Sequence, residues 1–70
     1  MPIIQAHILQ GRSEEKKEAF IAAVTDAAVA HLDAPRETVR VILNEMLPTN
    51  YAISGETIKR RREKAAKEGS

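Results

Sequence analysis

Apolar and polar positions alternate near the start of the chain. In residues 3 to 9, IIQAHIL, an extended backbone puts Ile4, Ala6 and Ile8 on one side and Ile3, Gln5, His7 and Leu9 on the other. This predicts a strand with both faces at least half buried. Gly11 breaks the pattern. Ser13, followed by Glu14 and Glu15, then supplies a capping hydroxyl and two carboxylates for the positive end of a helix dipole. Phe20, Ile21, Val24, Ala27, Ala28, His31 and Leu32 recur at spacings of three and four, predicting a helix with one buried stripe. The helix must stop at Asp33-Ala34-Pro35, because proline disfavours helical geometry at Ala34. Val39 to Met46 is rich in β-branched residues, and Val39, Val41 and Leu43 alternate with Arg40, Ile42 and Asn44 as a second strand requires.

Strand, long helix and strand make a βαβ unit of the α+β class, with parallel strands and a right-handed crossover. Two strands and one helix leave sheet edges and one face unprotected, so oligomerisation is expected to complete the sheet. In LPTNYAISGE, from Leu47 to Glu56, Pro48, Asn50, Ser54 and Gly55 predict a loop and a short hairpin. Residues 1–62 read as one domain. Residues 63–70 read as a basic tail, and TIKRRREKAAKEGS, from Thr57 to the end, as a helical turn or two or a disordered segment.

Composition narrows the function. A 70-residue chain without cysteine has no disulfide or thiolate metal site to reinforce a small core, and His7 and His31 alone hold no zinc centre. No stretch approaches a membrane span and the first ten residues lack the basic leader of a secretory signal, so a cytoplasmic protein is expected. The net charge of +1 conceals an asymmetry. From residue 57 onward Lys59, Arg60, Arg61, Arg62, Lys64 and Lys67 face only Glu63 and Glu68, whereas the preceding body has three more acidic than basic residues.

Three residues could carry chemistry. A small second residue normally permits removal of Met1, which would leave Pro2 with a free secondary amine. An apolar pocket and nearby cations would lower that amine from the ~8 of an ordinary terminus toward the range of a general base. By itself, Pro2 is more simply the start of a strand. Arg12 follows the strand-ending Gly11, and Arg40 lies among apolar residues of the second strand, a poor place for an idle charge. Such a guanidinium either pairs with a protein carboxylate, Glu45 or one on another subunit, or awaits one from a ligand.

With Pro2-Ile3, His7-Ile8-Leu9-Gln10-Gly11-Arg12-Ser13, Leu32-Asp33-Ala34-Pro35, Val39-Arg40-Val41-Ile42, Glu45-Met46 and Ser54-Gly55-Glu56, the chain resembles the 4-oxalocrotonate tautomerase family over residues 2 to about 62. The resemblance implies a βαβ subunit with a short carboxy-terminal hairpin (the tautomerase fold), assembled as a hexamer from three dimers, with no metal or cofactor. It implies that the Pro2 amine moves a proton between an enol oxygen and a distant carbon of an unsaturated 2-hydroxy diacid such as 2-hydroxymuconate, in aromatic-compound breakdown. Arg40 would bind beside the reacting centre and draw electron density, and Arg12 of a different subunit would hold the far carboxylate. Tyr51 departs from the catabolic members, which carry phenylalanine there as an apolar wall; its hydroxyl adds a polar group near the base.

Two further readings compete. A dehalogenase or decarboxylase could use the same amine, and such activities usually call for an added acid. A non-enzymatic nucleic-acid or assembly module could be built on the basic tail. Phe20 and Tyr51 are the only aromatics, so nucleic-acid binding is not expected and a solvated or intersubunit segment is the better reading. His7 reads as a packed or interface histidine.

Overall fold

The computed structural model describes residues 1–68. Its elements are β1 (Ile3–Leu9), α1 (Glu14–Leu32), a 3₁₀ turn (Arg36–Thr38), β2 (Arg40–Met46), β3 (Ala52–Ile53), β4 (Glu56–Thr57) and α2 (Ile58–Glu68). The strands β1 and β2 pair in parallel from Ile3 opposite Arg40 to Leu9 opposite Met46. Flanking bonds from the Arg40 amide to the Pro2 carbonyl (3.0 Å) and from the Gln10 amide to the Met46 carbonyl (2.8 Å) extend the ladder at both ends.

Local chemistry sets the boundaries of α1. The Ser13 side chain accepts the Lys16 amide, closing the first turn, and Asp33 ends the helix with a left-handed φ of 52°. The helix covers one sheet face, where Ile4, Ala6, Ile8, Val41 and Leu43 are half-buried, and Lys17 reaches across to Glu45 at 2.9 Å. On the other face Ile3, Gln5, His7, Arg40, Ile42 and Asn44 are exposed. The expectation that both faces of β1 are half buried therefore fails within one subunit.

The buried stripe of α1 is also narrower than its periodicity predicts. Ile21, Val24, Thr25 and Val29 are half-buried around Ala28, whereas Phe20, Ala27, His31 and Leu32 are exposed. A floor of two strands is too narrow to receive a wider stripe. Ala28 is the only buried residue among those described.

The antiparallel pair β3–β4 turns through Ser54 and Gly55, both at positive φ (53° and 80°), as a two-residue hairpin loop of the primed type requires. The helix α2 follows directly. Thr57 Oγ1 accepts the Arg60 amide at its start, and Glu56 binds Arg61 at 3.7 Å and Lys64 at 2.5 Å. Long side chains and two alanines favour continuation, so the helix exceeds the turn or two expected and crosses residues 62 and 63 without interruption. Gly69 and Ser70 of the tail lie outside the described residues.

The subunit is not compact. Its surface of 5449 Å² exceeds the about 4300 Å² of a folded monomer of this mass. Its radius of gyration, 16.4 Å, compares with about 11 Å for a globular chain of equal length. So small a sheet, bare on one face, implies completion by other subunits. No helix among the described residues is long and apolar enough to cross a membrane.

Candidate active site

The parallel ladder fixes where the chemistry-bearing residues stand. Pro2 precedes β1 and Arg40 opens β2, so the Arg40 amide and the Pro2 carbonyl meet at the amino ends of the strands. Pro2 is half-buried, and Met1 acylates its nitrogen. The Arg40 side chain bends back to donate to the Glu37 carbonyl at 2.9 Å. Among the described residues it has no carboxylate partner: Glu45 lies five residues further along β2 on the opposite face, where Lys17 engages it. The internal pair between Arg40 and Glu45 is therefore not formed.

Arg12 and Tyr51 stand at the other end of the strands. The two line a hollow of about 380 Å³ with His7, Ile8, Leu9 and Met46. Arg12 donates to the Leu9 carbonyl at 3.3 Å and, like Arg40, has no carboxylate partner among the described residues. It also borders a second hollow of about 340 Å³, whose largely apolar floor is Ile8, Phe20 and Leu43 and whose rim carries Lys16 and Lys17. Seven residues of strand, about 20 Å, separate this corner from Pro2 and Arg40. One subunit thus brings the four candidate residues together as two pairs, not as one cluster.

His7, expected as a packed or interface histidine, lines the Arg12 hollow and lies 3.5 Å from Asn44 across the strands. Its position on the same face of β1 as Leu9 was readable from the alternation. The contributions of Lys16 and Phe20 were not, since they depend on how α1 crosses the sheet.

The family model for tautomerase enzymes matches residues 2–61. A 2-hydroxymuconate tautomerase of Stutzerimonas stutzeri is 51% identical over 59 residues, covering 84% of this chain and 94% of the relative. Among solved structures, one of the 4-oxalocrotonate tautomerase isozymes of Methylibium petroleiphilum superposes with a TM-score of 0.88 at 38% identity, covering 91% of this chain and all of that one. A heterohexameric 4-oxalocrotonate tautomerase of Chloroflexus aurantiacus superposes with a TM-score of 0.79 at 34% identity, covering 84% and 95%. Fold and relatives together define the protein as an isomerase built on a βαβ subunit. More narrowly, the chain belongs to the tautomerase family, within the group of 4-oxalocrotonate tautomerases.

Proposed function

We propose that the protein is a cofactor-independent keto–enol tautomerase whose general base is the amine of Pro2, freed by removal of Met1. Its substrate class is the enol of an unsaturated 2-oxo acid, of which 2-hydroxymuconate is the type. The observation that carries this reading is the meeting of Pro2 and Arg40 at the strand ends, with the Arg40 guanidinium held, among the described residues, only by a backbone carbonyl. The amine removes the enol proton, the conjugated double bonds shift, and the same proton is delivered to a distant carbon. Nothing is gained or lost overall. Arg40 binds the carboxylate and oxygen beside the reacting centre, where enolate charge accumulates, so it stabilises the transition state more than the ground state.

Arg12 takes the far carboxylate. The five carbon–carbon bonds of a six-carbon diacid span at most about 7.5 Å, far less than the strand length between Arg40 and Arg12 of one subunit. A second subunit therefore supplies Arg12, in an assembly read as a hexamer of three dimers in the cytoplasm. Tyr51 walls the pocket. The aromatic ring keeps water from the amine, whose affinity for protons falls with desolvation and with the nearby arginines.

The test is turnover of 2-hydroxymuconate or phenylenolpyruvate by two forms of the chain. The processed form should be active, with a rate that rises with pH through a midpoint below the ~8 of an ordinary terminal amine. The form retaining Met1 should assemble normally and be inactive. Equal rates for the two would refute the amine as base and direct attention to Tyr51 or His7.

A further inference from the structure

The helix α2 is tied to its own subunit at its base. The Ile58 amide donates to the Tyr51 carbonyl at 2.9 Å, the Lys59 amide to the Pro48 carbonyl at 3.0 Å, and Arg61 and Lys64 reach back to Glu56. The side chains of residues 59–67 are exposed, and the subunit measures 49 Å in its longest direction against 24 and 17 Å in the others. Eleven residues that are polar on nearly every side make a marginal helix in water, so α2 needs something to lie against. Most of it also lies beyond residue 61, where the family match ends.

Charge identifies the partner. Across α2, Lys59, Arg60, Arg61, Arg62, Lys64 and Lys67 outnumber Glu63 and Glu68 by four, whereas residues 1–57 hold three more acidic than basic residues. Lys59 is near Glu63 at 4.0 Å, and Arg61 and Lys64 share Glu56, but Arg60 and Arg62 have no ion pair among the described residues. The same is true of Glu14, Glu15, Glu18, Asp33 and Glu37 on the body. Unmatched cations on the helix and unmatched carboxylates on the body cannot meet within one subunit, because α2 projects away from α1. They can meet between two.

We infer that α2 is a strap between subunits, laying its basic surface on the acidic body of a second copy of this chain. Nucleic acid is the lesser candidate. The helix has no aromatic residue for base stacking, and Glu56 and Glu63 already compensate part of its charge, which a phosphate-binding surface would leave free. The inference rests on the reading that the sheet is completed by further copies, and its test separates the two.

The full chain is compared with Arg60→Glu/Arg62→Glu by sedimentation at low and at molar salt. Acidic residues near the start of a helix favour the dipole, so the reversal should not unwind α2 for local reasons. Circular dichroism checks this, and the milder Arg60→Gln/Arg62→Gln pair serves if the first variant misfolds. At low salt the reversed variant should dissociate at about tenfold higher concentration than the unaltered chain, and the neutral one at about threefold higher. In molar salt, where charges are screened beyond about 3 Å, the gap should close. An unaltered assembly at low salt overturns the strap. So does salt-dependent binding of random duplex DNA that needs Arg60 and Arg62 while assembly does not. If the unaltered chain is monomeric throughout, the reading of sheet completion itself fails.

Discussion

Arg40 and Arg12 share a property that separates them from paired cations such as Lys17 and Arg36: among the described residues, each guanidinium is bound only to a nearby backbone carbonyl. The proposed mechanism gives them different duties. Arg40 stands beside Pro2, where charge would develop, so Arg40→Ala should lower kcat on the order of 10²-fold. Arg12 stands far from any Pro2 of its own subunit, so Arg12→Ala should chiefly raise KM for a diacid and leave turnover of a monoacid enol nearly unchanged. Steady-state kinetics on both substrates measures the split, and equal small effects at the two arginines would mark them as structural. Pro2→Ala keeps an amine, now primary, and should retain part of the activity. A primary amine also condenses with a keto product, so that variant should be trapped by borohydride.

Among the elements, two depend on single residues. Ser13 closes the first turn of α1 through its bond to the Lys16 amide (3.2 Å), so Ser13→Ala should cost about 1 kcal/mol in a denaturant titration. Glu56 joins the hairpin to α2. Its carboxyl is held below the ordinary 4.5 by its bond to Lys64 and by the charges of Lys64, Arg61 and Arg60, which outweigh the opposing desolvation. Because the folded state lowers this carboxyl, the tie is at full strength above the ordinary carboxylate range. It is lost as pH falls through the depressed value. Backbone chemical shifts of residues 58–66 should therefore move toward coil as pH falls below the ordinary carboxylate range, and in Glu56→Gln they should lose that pH dependence.

At the scale of the molecule, the decisive quantity is exposed apolar surface. Ile3 and Ile42 lie on the bare sheet face at 57% and 43% exposure, and burying an isoleucine contributes about 1.5–3 kcal/mol. An oligomer that stacks or extends the sheet recovers this in every copy. Ile42→Asp should therefore abolish assembly and unfold the chain together, because one buried alanine cannot sustain the remainder. Sedimentation with circular dichroism measures both, and a folded Ile42→Asp monomer at micromolar concentration would contradict this dependence.

Local patterns determined much of this. The alternation of residues 3–9 and 39–46 marks two strands, Ser13 and Asp33-Ala34-Pro35 bound the helix, and Ser54-Gly55 forms a tight turn. Each follows from dihedral preference and periodicity, which act over a few residues. Pro2, Arg12, Arg40 and Tyr51 were likewise legible as candidates, from residue type and their resemblance to a known pattern. Only the tertiary structure decided which of them meet. The packing of α1 on the sheet gives the Glu45 carboxylate to Lys17, and Arg40 has none among the described residues. Strand length holds Arg12 and Tyr51 away from Pro2. The width of a two-strand floor exposes Phe20 and Leu32 despite their helical spacing. These outcomes depend on distances between segments remote in sequence, which periodicity does not encode.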